Sequence, residues 1–389
     1  MQTQWNTFEA DSEYIAGTYK RFPVEIVSGK GSIVRDRNGK EYIDMGSGIG
    51  VTAFGISDEK WVAAVEEQLH RVQHMSNLYY TEPCARLAAM LCERTGMKKV
   101  FFCNSGAEAN ECAIKAARKW AAEARGADCF TVVTLQNSFH GRTLTTLAAT
   151  GQDHYHELYR PLTPGFVSVP AGDTEAIARL DDTQGVAAVM IECIQGEGGV
   201  IPLQREYVTQ LRRMTEARGI LLIVDEVQTG NGRTGELYSY MHFGIEPDIV
   251  STAKGLGGGL PLGAAMLGKK VKDVFAPGDH GSTFGGNPVC CAGALSILSR
   301  IDAKLLSEVR EKGAFLARFF AESGIESSGM GLMMGLKTKR NAADAVKECI
   351  DRGVLCLTAK DRVRLLPALN IPQATLERAA VIIRDVCLK

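Results

Sequence analysis

The fold of this chain is decided by the stretch Asp248-Ile-Val-Ser-Thr-Ala-Lys-Gly-Leu-Gly-Gly-Gly-Leu-Pro-Leu-Gly263. The β-branched pair Ile249 and Val250 predicts the end of a buried strand. Lys254 follows that strand, and the glycines after it let backbone or ligand approach closely. Apolar surroundings favour the neutral amine of a lysine, which is the form that condenses with an aldehyde. Taken alone, Lys254 is more simply explained as an ordinary loop lysine.

A second stretch upstream changes that interpretation. Residues 220–224 form a continuous apolar run, typical of a central parallel strand, and Asp225 follows it directly. Because ligands of open α/β sheets lie beyond the carboxyl ends of the strands, we expect Asp225 and Lys254 in one crevice. A lysine that holds an aldehyde and a carboxylate that keeps a pyridine nitrogen protonated are what pyridoxal 5′-phosphate requires. The pair therefore predicts a site for that cofactor.

The bulk composition excludes several other classes of protein. With 389 residues, the chain is long enough for one large and one smaller domain. A net charge of −1 gives no electrostatic footprint for nucleic acid or an anionic membrane. The sequence has neither an apolar run of the ~20 residues that a membrane span needs nor a signal-peptide pattern at its start. Eleven cysteines without a Cys-x-x-Cys pair indicate reduced thiols, so we expect a soluble, cytoplasmic protein.

Strand and helix patterns alternate through the middle of the chain, which predicts an α/β fold with a mainly parallel, seven-stranded sheet covered by helices. The strands recognisable by pattern are 100–103, 131–135, 186–191, 220–224, 248–251 and 263–267. Asn38-Gly39 indicates a hairpin before them, and Ser57 is placed to cap a helix that runs to about His74. We expect residues 1–45 to pack with a small α+β domain, residues 46–290 to form the large domain, and residues 291–389 to form a connecting helix and the small domain.

Polar groups follow several of these strands. Ser105 and Gly106 begin a predicted helix whose bare N-terminus suits a phosphate. After the next strand, Phe139 is placed to stack on a flat ring, and Arg142 is a candidate for forked recognition of a substrate carboxylate. We expect His140 to be structural or ring-orienting. His154 and His156 lack a third ligand at metal spacing, so we predict surface histidines and no metal site.

Other candidates are weaker on their own. Glu197 follows the strand at 186–191, and Arg364 lies in a strand-like apolar setting for which exposure is the default. Ser282 and Thr283 are either helix caps or hydroxyl donors to a phosphate or substrate. Gly230-Asn-Gly-Arg-Thr-Gly235 matches a dinucleotide-binding pattern, but no clear helix follows it, so we reject that reading.

Together these residues resemble the fold-type I, class III pyridoxal-phosphate aminotransferases, and within them the acetylornithine aminotransferase group. The resemblance spans nearly the whole chain. It rests on six blocks in order, which are 105–111, 138–143, 195–199, 225–235, 254–259 and 281–288.

The resemblance implies a role for each matching residue. Lys254 would link covalently to the cofactor, Asp225 would pair with its pyridine nitrogen, and Gln228 would reach its ring hydroxyl. The cofactor-binding set would be Ser105, Gly106, Ala107, Phe139, His140, Asp225, Glu226, Val227, Gln228, Lys254 and Thr283, with Thr283 contributed by the other subunit of a homodimer. The substrate-binding set would be Tyr19, Arg142, Glu197, Ser282 and Arg364.

The same resemblance implies the reaction. Arg142 would bind the α-carboxylate of N-acetylornithine, and Arg364 that of 2-oxoglutarate or glutamate, with Glu197 as its switchable partner. Two positions depart from the family, which commonly has proline where Cys193 and Ala368 stand; Ala368 bears on the setting of Arg364. Succinylornithine, ornithine and 4-aminobutyrate aminotransferases, an aminomutase, and a non-catalytic relative that binds the cofactor are the alternatives.

Overall fold

A computed structural model of the protein describes residues 5–389. Its strands are β1 (Ile26–Lys30), β2 (Ile33–Asp36), β3 (Glu41–Asp44), β4 (Lys99–Cys103), β5 (Thr131–Leu135), β6 (Phe166–Val169), β7 (Val186–Ile191), β8 (Ile194–Gln195), β9 (Ile201–Pro202), β10 (Leu221–Asp225), β11 (Ile249–Thr252), β12 (Gly263–Leu267), β13 (Ser327–Met330), β14 (Met333–Lys337), β15 (Val354–Leu355), β16 (Leu357–Ala359) and β17 (Arg362–Leu365). Its longer helices are Thr7–Tyr14, Glu59–Arg71, Glu82–Thr95, Gly106–Arg125, Leu144–Ala149, Thr174–Gln184, Arg205–Ala217, Pro288–Leu298, Ala303–Glu322, Ala342–Asp351 and Gln373–Cys387.

The large sheet has the strand order β4-β12-β11-β10-β7-β5-β6. Its pairs are parallel except where β12 runs antiparallel to β11 and β4. The predicted α/β fold with a mainly parallel, seven-stranded sheet is therefore confirmed. The carboxyl ends of β4, β5, β7, β10 and β11 all meet at one edge, where the next residues of the chain form the site.

Both faces of this sheet are buried, and β10 shows how. Leu221 and Ile223 pack in one apolar cluster with the helix Gly106–Arg125, whereas Leu222 and Val224 face the larger core on the opposite side. All four side chains are fully buried. Burial on both faces explains why the strand is a continuous apolar run. Asp225, its last residue, lies at the edge of the sheet, where the chain leaves the strand.

Besides the two-stranded sheet of β8 and β9, residues 5–389 form two four-stranded sheets, and the first of them joins the two ends of the chain. In one, the order is β1-β2-β3-β15, with β3 parallel to β15, so that Ile43 lies opposite Val354. In the other, the order is β13-β14-β17-β16. The predicted hairpin is confirmed, because β2 and β3 pair antiparallel around Asn38-Gly39. The pairing of β3 with β15 supports our proposal that residues 1–45 pack with a small domain made by residues 291–389.

Two local predictions are wrong. Asp58 rather than Ser57 caps the helix Glu59–Arg71, because its carboxylate accepts a hydrogen bond from Trp61 N at 2.9 Å. His156 is not a surface histidine: it is 7% exposed, with Nε2 2.9 Å from the carbonyl oxygen of Leu147. Within residues 5–389, no helix is both long and apolar enough to cross a membrane.

Candidate active site

A cavity of about 400 Å³ lies at the carboxyl edge of the large sheet. Its walls come from loops that follow separate strands, with Asn104 after β4, Phe139 after β5, Glu192 after β7 and Lys254 after β11. The remaining lining residues are Val51, Ser105, Gly106, Ala107, Asn110, His140, Gly141, Asp225, Val227, Gln228, Ala253, Gly259, Leu260, Pro261 and Leu262. Chain segments far apart in sequence thus converge on one crevice.

Asp225 is held firmly at the wall of this cavity. Its Oδ2 accepts a hydrogen bond from Asn110 Nδ2 at 2.8 Å and lies 2.8 Å from His140 Nδ1, and its Oδ1 accepts one from Val227 N at 2.9 Å. The residue is 4% exposed. Three partners fix the carboxylate in one orientation, as a group that must meet a ring nitrogen requires. His140, expected to be structural or ring-orienting, contacts Asp225 directly.

Lys254 has an unusual backbone conformation and a lowered amine pKa. Its φ is 44°, in the left-handed region that costs a non-glycine residue on the order of 1 kcal/mol. Burial lowers the pKa of its amine, although Glu197 and Asp225 act in the opposite direction. The amine therefore has a larger neutral fraction than a surface lysine, as a nucleophile or proton acceptor requires.

The helix Gly106–Arg125 directs its N-terminus at the cavity. Ser105 caps it by accepting a hydrogen bond from Glu108 N at 3.1 Å. A Cβ at Gly106 would lie 2.6 Å from Val227 Cγ1, so the packing of Val227 admits only glycine there. The backbone at Gly106 and Ala107 lines the cavity, and the positive end of the helix dipole favours an anion beside it.

Arg364 and Glu197 form an ion pair between segments that are far apart in the sequence. Arg364, on β17, is 4% exposed and donates from Nη1 to Glu197 Oε1 and, at 3.1 Å, to Gln228 Oε1. Glu197 lies in the turn between β8 and β9. Burial favours the protonated form of Glu197, but Arg364, together with the charge of Lys254 and a hydrogen bond from Gln228, outweighs it, and the pKa of Glu197 falls below its usual value. Glu197 therefore masks Arg364.

Arg142 has a different environment. Its side chain is exposed, and its guanidinium carbon lies 5.6 Å from the ring centre of Phe139 and 5.5 Å from that of Tyr155. Within residues 5–389 it makes no hydrogen bond or ion pair. Its donors are therefore free to receive a carboxylate.

The other predicted residues lie at varying distances from this centre. Ser282 is connected to the cavity wall, because its hydroxyl accepts a hydrogen bond from Asn104 Nδ2 at 3.1 Å. Glu226 binds Thr229, Ser239 and the backbone of Tyr240, away from the cavity. Tyr19 is 65% exposed and contacts Arg21. Thr283 is exposed. The roles of these residues, like those of the other predicted site residues, stay predictions.

The sequence-based prediction missed several residues of the cavity wall, and two of them, Asn110 and Glu192, form hydrogen bonds with predicted residues. Asn110 donates both to Asp225 and, at 2.7 Å, to the carbonyl oxygen of His140. Glu192 accepts hydrogen bonds from Phe139 N at 2.9 Å and Gly196 N at 3.3 Å. Burial raises the pKa of Glu192 to about 7, and the nearby charge of Asp225 adds to that rise. Glu192 could have been found, since it follows the apolar strand β7 in the way that Asp225 ends β10.

The lysine, the carboxylate and the helix N-terminus meet at one cavity, and the two arginines contact residues of its wall. The chain belongs to the class III aminotransferase family, whose model matches residues 14–387. It is therefore an aminotransferase. The acetylornithine aminotransferase of Haemophilus ducreyi is 46% identical over 382 residues, which cover 97% of each chain. The resemblance of this chain to the class III aminotransferases is thus confirmed.

Solved structures agree with this assignment. The ornithine aminotransferase of Toxoplasma gondii superimposes with a TM-score of 0.93 at 32% identity, covering 97% of this chain and 93% of that one. The acetylornithine aminotransferase of Elizabethkingia anophelis gives 0.87 at 30% identity, covering 98% and 97%. Membership of this enzyme class also confirms the predicted cofactor, pyridoxal 5′-phosphate.

The residues at the cavity fit that cofactor. The backbone at Gly106 and Ala107 suits its phosphate, and the fixed carboxylate of Asp225 suits its pyridine nitrogen. Phe139 is half-buried at the cavity wall, where a ring can stack. Lys254, with its lowered pKa, suits its aldehyde.

Proposed function

We propose that the protein transfers the terminal amino group of N2-acetyl-L-ornithine to 2-oxoglutarate, giving N-acetyl-L-glutamate 5-semialdehyde and L-glutamate, a step of arginine synthesis. Several relatives at 41–46% identity are named acetylornithine aminotransferase. The observation that carries the proposal is the difference between the arginines. Arg142 is free to bind the carboxylate of a donor whose reacting amine is remote from it, while Glu197 covers Arg364.

The cofactor, when bound, accepts the electrons released as the carbon–hydrogen bond of the substrate breaks. The other contributions come from this chain. Asp225, fixed by Asn110 and His140, supplies a negative charge at the ring nitrogen. Lys254 takes the proton from the substrate carbon that bears the amine, which its lowered pKa allows. Arg142 holds the substrate carboxylate far from that carbon.

The second half of the cycle needs Arg364. A dicarboxylic acceptor brings a carboxylate next to its keto group, and that charge can replace Glu197 on the guanidinium. A donor that has no carboxylate next to its reacting carbon leaves Glu197 in place, and the buried arginine remains paired. One site can then accept both substrates without leaving a buried charge unpaired.

Single half-reactions without keto acid test the proposal. N-acetylornithine, succinylornithine, ornithine and 4-aminobutyrate are added separately to the cofactor-loaded protein, and the visible absorbance of the cofactor is followed. We expect rapid loss of absorbance with N-acetylornithine and slower loss with the others. A faster response to another donor would replace the substrate but keep the reaction. No response to any donor would favour the catalytically silent alternative.

We also propose that the protein is a homodimer with shared active sites. Large apolar side chains are exposed near the segment that carries Thr283, and they include Leu78 at 86%, Tyr80 at 106% and Phe284 at 59% exposure. Asn77, beside Leu78, donates hydrogen bonds to the backbone of Ser282 and Gly285, which links these exposed residues to the cavity wall. A second copy of the chain would bury them.

Subunit complementation tests the shared site. Lys254→Ala and Thr283→Asp variants should each be inactive alone, the second because a carboxylate would repel the phosphate. If Thr283 serves the partner's site, mixed dimers contain one intact site, and activity should return after subunit exchange. No recovery from dimers that exchange subunits would overturn the shared site, and a monomeric wild type would overturn the dimer.

The free cysteines of the structure support a reducing, cytoplasmic location.

A further inference from the structure

The guanidinium of Arg142 lies against two neighbouring aromatic rings. Its carbon is 5.6 Å from the centre of Phe139 and 5.5 Å from that of Tyr155, and both distances lie within the ~6 Å over which a cation is attracted to a ring face. The two rings contact each other edge to face, with centres 5.8 Å apart and planes at 66°. Phe139 belongs to the cavity wall, whereas Tyr155 lies outside it.

The chain holds Tyr155 in place from several directions. Its ring packs on that of His154, with centres 4.0 Å apart. Its backbone N–H donates to the carbonyl oxygen of Gln152 at 3.1 Å, and Gln152 Nε2 donates to the carbonyl oxygen of Ser138, next to Phe139, at 3.0 Å. On the other side, His156 is buried against the carbonyl of Leu147. Tyr155 is thus anchored to the same loop that carries Phe139 and Arg142.

An exposed arginine has many rotamers, and fixing one of them at a ligand costs free energy. Within the described residues, no carboxylate or carbonyl oxygen orients the guanidinium of Arg142, so the two rings are what restrict it. Ring faces leave the N–H groups in the guanidinium plane available for forked hydrogen bonds. An acidic partner would also orient Arg142, but it would compete with the substrate.

We propose that Tyr155 is a positioning residue that orients Arg142 to bind the substrate carboxylate remote from the reacting amine. Tyr155 does not touch the reacting atoms. It acts through the guanidinium and so contributes to selection for donors that bear this carboxylate. The inference rests on the proposed function, because that function assigns the carboxylate to Arg142.

The test compares two donors that differ by one group. N-acetylornithine carries the carboxylate, and N-acetylputrescine is the same amine with hydrogen in its place. Replacing the ring in Tyr155→Leu should raise the KM for N-acetylornithine about three- to tenfold with little change in kcat, the effect of losing one cation–ring contact. The kcat/KM for N-acetylputrescine should not change. Tyr155→Phe keeps the ring and should stay within about twofold of wild type.

Two further measurements separate positioning from a structural role. The affinity for pyridoxal 5′-phosphate should be unchanged in Tyr155→Leu, and in an Arg142→Met background the same substitution should have no further effect on N-acetylornithine. Equal losses for both donors, weaker cofactor binding, or additive effects of the two substitutions would each overturn the proposal.

The failure of the proposed function would look different. If wild type ignored N-acetylornithine but used another carboxylate-bearing donor, only the substrate assignment would fail. The Tyr155 variants would then be tested with that donor and its counterpart lacking the carboxylate, and the same selective loss is expected.

Discussion

Two arginines of the site carry the same charge in opposite surroundings. Arg364 is 4% exposed and lies on a strand, paired with Glu197 and Gln228. Arg142 is exposed on a loop, lies against two aromatic rings and, within residues 5–389, makes no hydrogen bond or ion pair. A buried guanidinium without an acceptor would be strongly unfavourable, so Arg364 must always have a partner. Arg142 is solvated and needs none.

This difference suits an enzyme that accepts two substrates in turn. The carboxylate of the donor lies far from the reacting carbon and can be received by an arginine that is always open. The acceptor has a carboxylate next to its reacting carbon, so the arginine for it must be covered while the donor is bound. The pair Glu197–Arg364 supplies such a cover, because Glu197 stays ionised at neutral pH through the same contact.

The largest effect is expected from Arg364→Met. This variant loses the carboxylate site for 2-oxoglutarate and leaves the half-buried Glu197 without its arginine, so kcat/KM for 2-oxoglutarate should fall about 100-fold or more. The half-reaction with N-acetylornithine should fall far less. Stopped-flow traces of the two half-reactions measure both values, with Arg364→Lys as the charge-retaining control. Equal losses in both half-reactions would contradict the division of roles.

Arg142→Met tests the other side of the comparison. Loss of a charged hydrogen bond to the donor should lower kcat/KM for N-acetylornithine about 10- to 100-fold. The rate with N-acetylputrescine should stay near that of wild type, since this amine offers no carboxylate. Arg364→Met should not reduce the preference between the two donors. A similar fall for both donors in Arg142→Met would show that Arg142 supports the fold of the site instead.

Glu197→Gln should change discrimination more than rate. Without the carboxylate, Arg364 is no longer neutralised in the absence of a dicarboxylate, so glutamate should gain on N-acetylornithine as a donor by about tenfold, equivalent to ~1.4 kcal/mol. Competition between the two donors gives this ratio directly. Cofactor content should match that of wild type, and a variant that simply lost its cofactor would refute the role.

The parts of the site that were predictable follow one rule. Asp225 ends one apolar strand and Lys254 follows another, and parallel strands bring such positions to the same edge whatever separates them in sequence. The rule also predicts a polar residue of the site at Glu192, which follows β7. Glu192 was missed because Glu197, a carboxylate of the same segment, was taken as the functional residue. Local pattern was therefore sufficient for the sheet and for the position of its polar edge.

What was not predictable depends on tertiary contacts. The burial of Arg364 arises because β17 packs beside the turn that holds Glu197, and no local pattern encodes that approach. Likewise, His156 is a polar residue in a polar stretch, and only its packing against Leu147 removes it from water. The setting of Arg364 despite Ala368 has a similar origin, since the backbone after β17 is fixed by hydrogen bonds from Leu366 N to Met45 O at 2.7 Å and from Leu369 N to Ala53 O at 2.8 Å.

Glu192 connects the two regions, and its predicted effect is on stability rather than on rate. Its carboxyl group accepts hydrogen bonds from Phe139 N, in the loop of Arg142, and from Gly196 N, beside Glu197. The pKa of Glu192 is raised from 4.5 to about 7 in the folded protein, so the folded state binds a proton more tightly than the unfolded chain. Its contribution to stability therefore falls as the pH rises from about 4.5 to about 7, by roughly 3 kcal/mol at most.

Glu192→Gln cannot titrate and should remove this dependence. Urea unfolding of the cofactor-free protein at pH 5 and pH 7.5 provides the measurement, and the wild type should lose stability relative to the variant at the higher pH. Any constant offset from the amide, which offers one acceptor oxygen where the carboxylate offers two, is the same at both pH values and cancels. Parallel pH profiles would mean that Glu192 is ionised throughout, with Phe139 and Gly196 stabilising its charge. The link between the loop of Arg142 and the turn of Glu197 would then be a fixed ionic contact rather than one that protonation weakens.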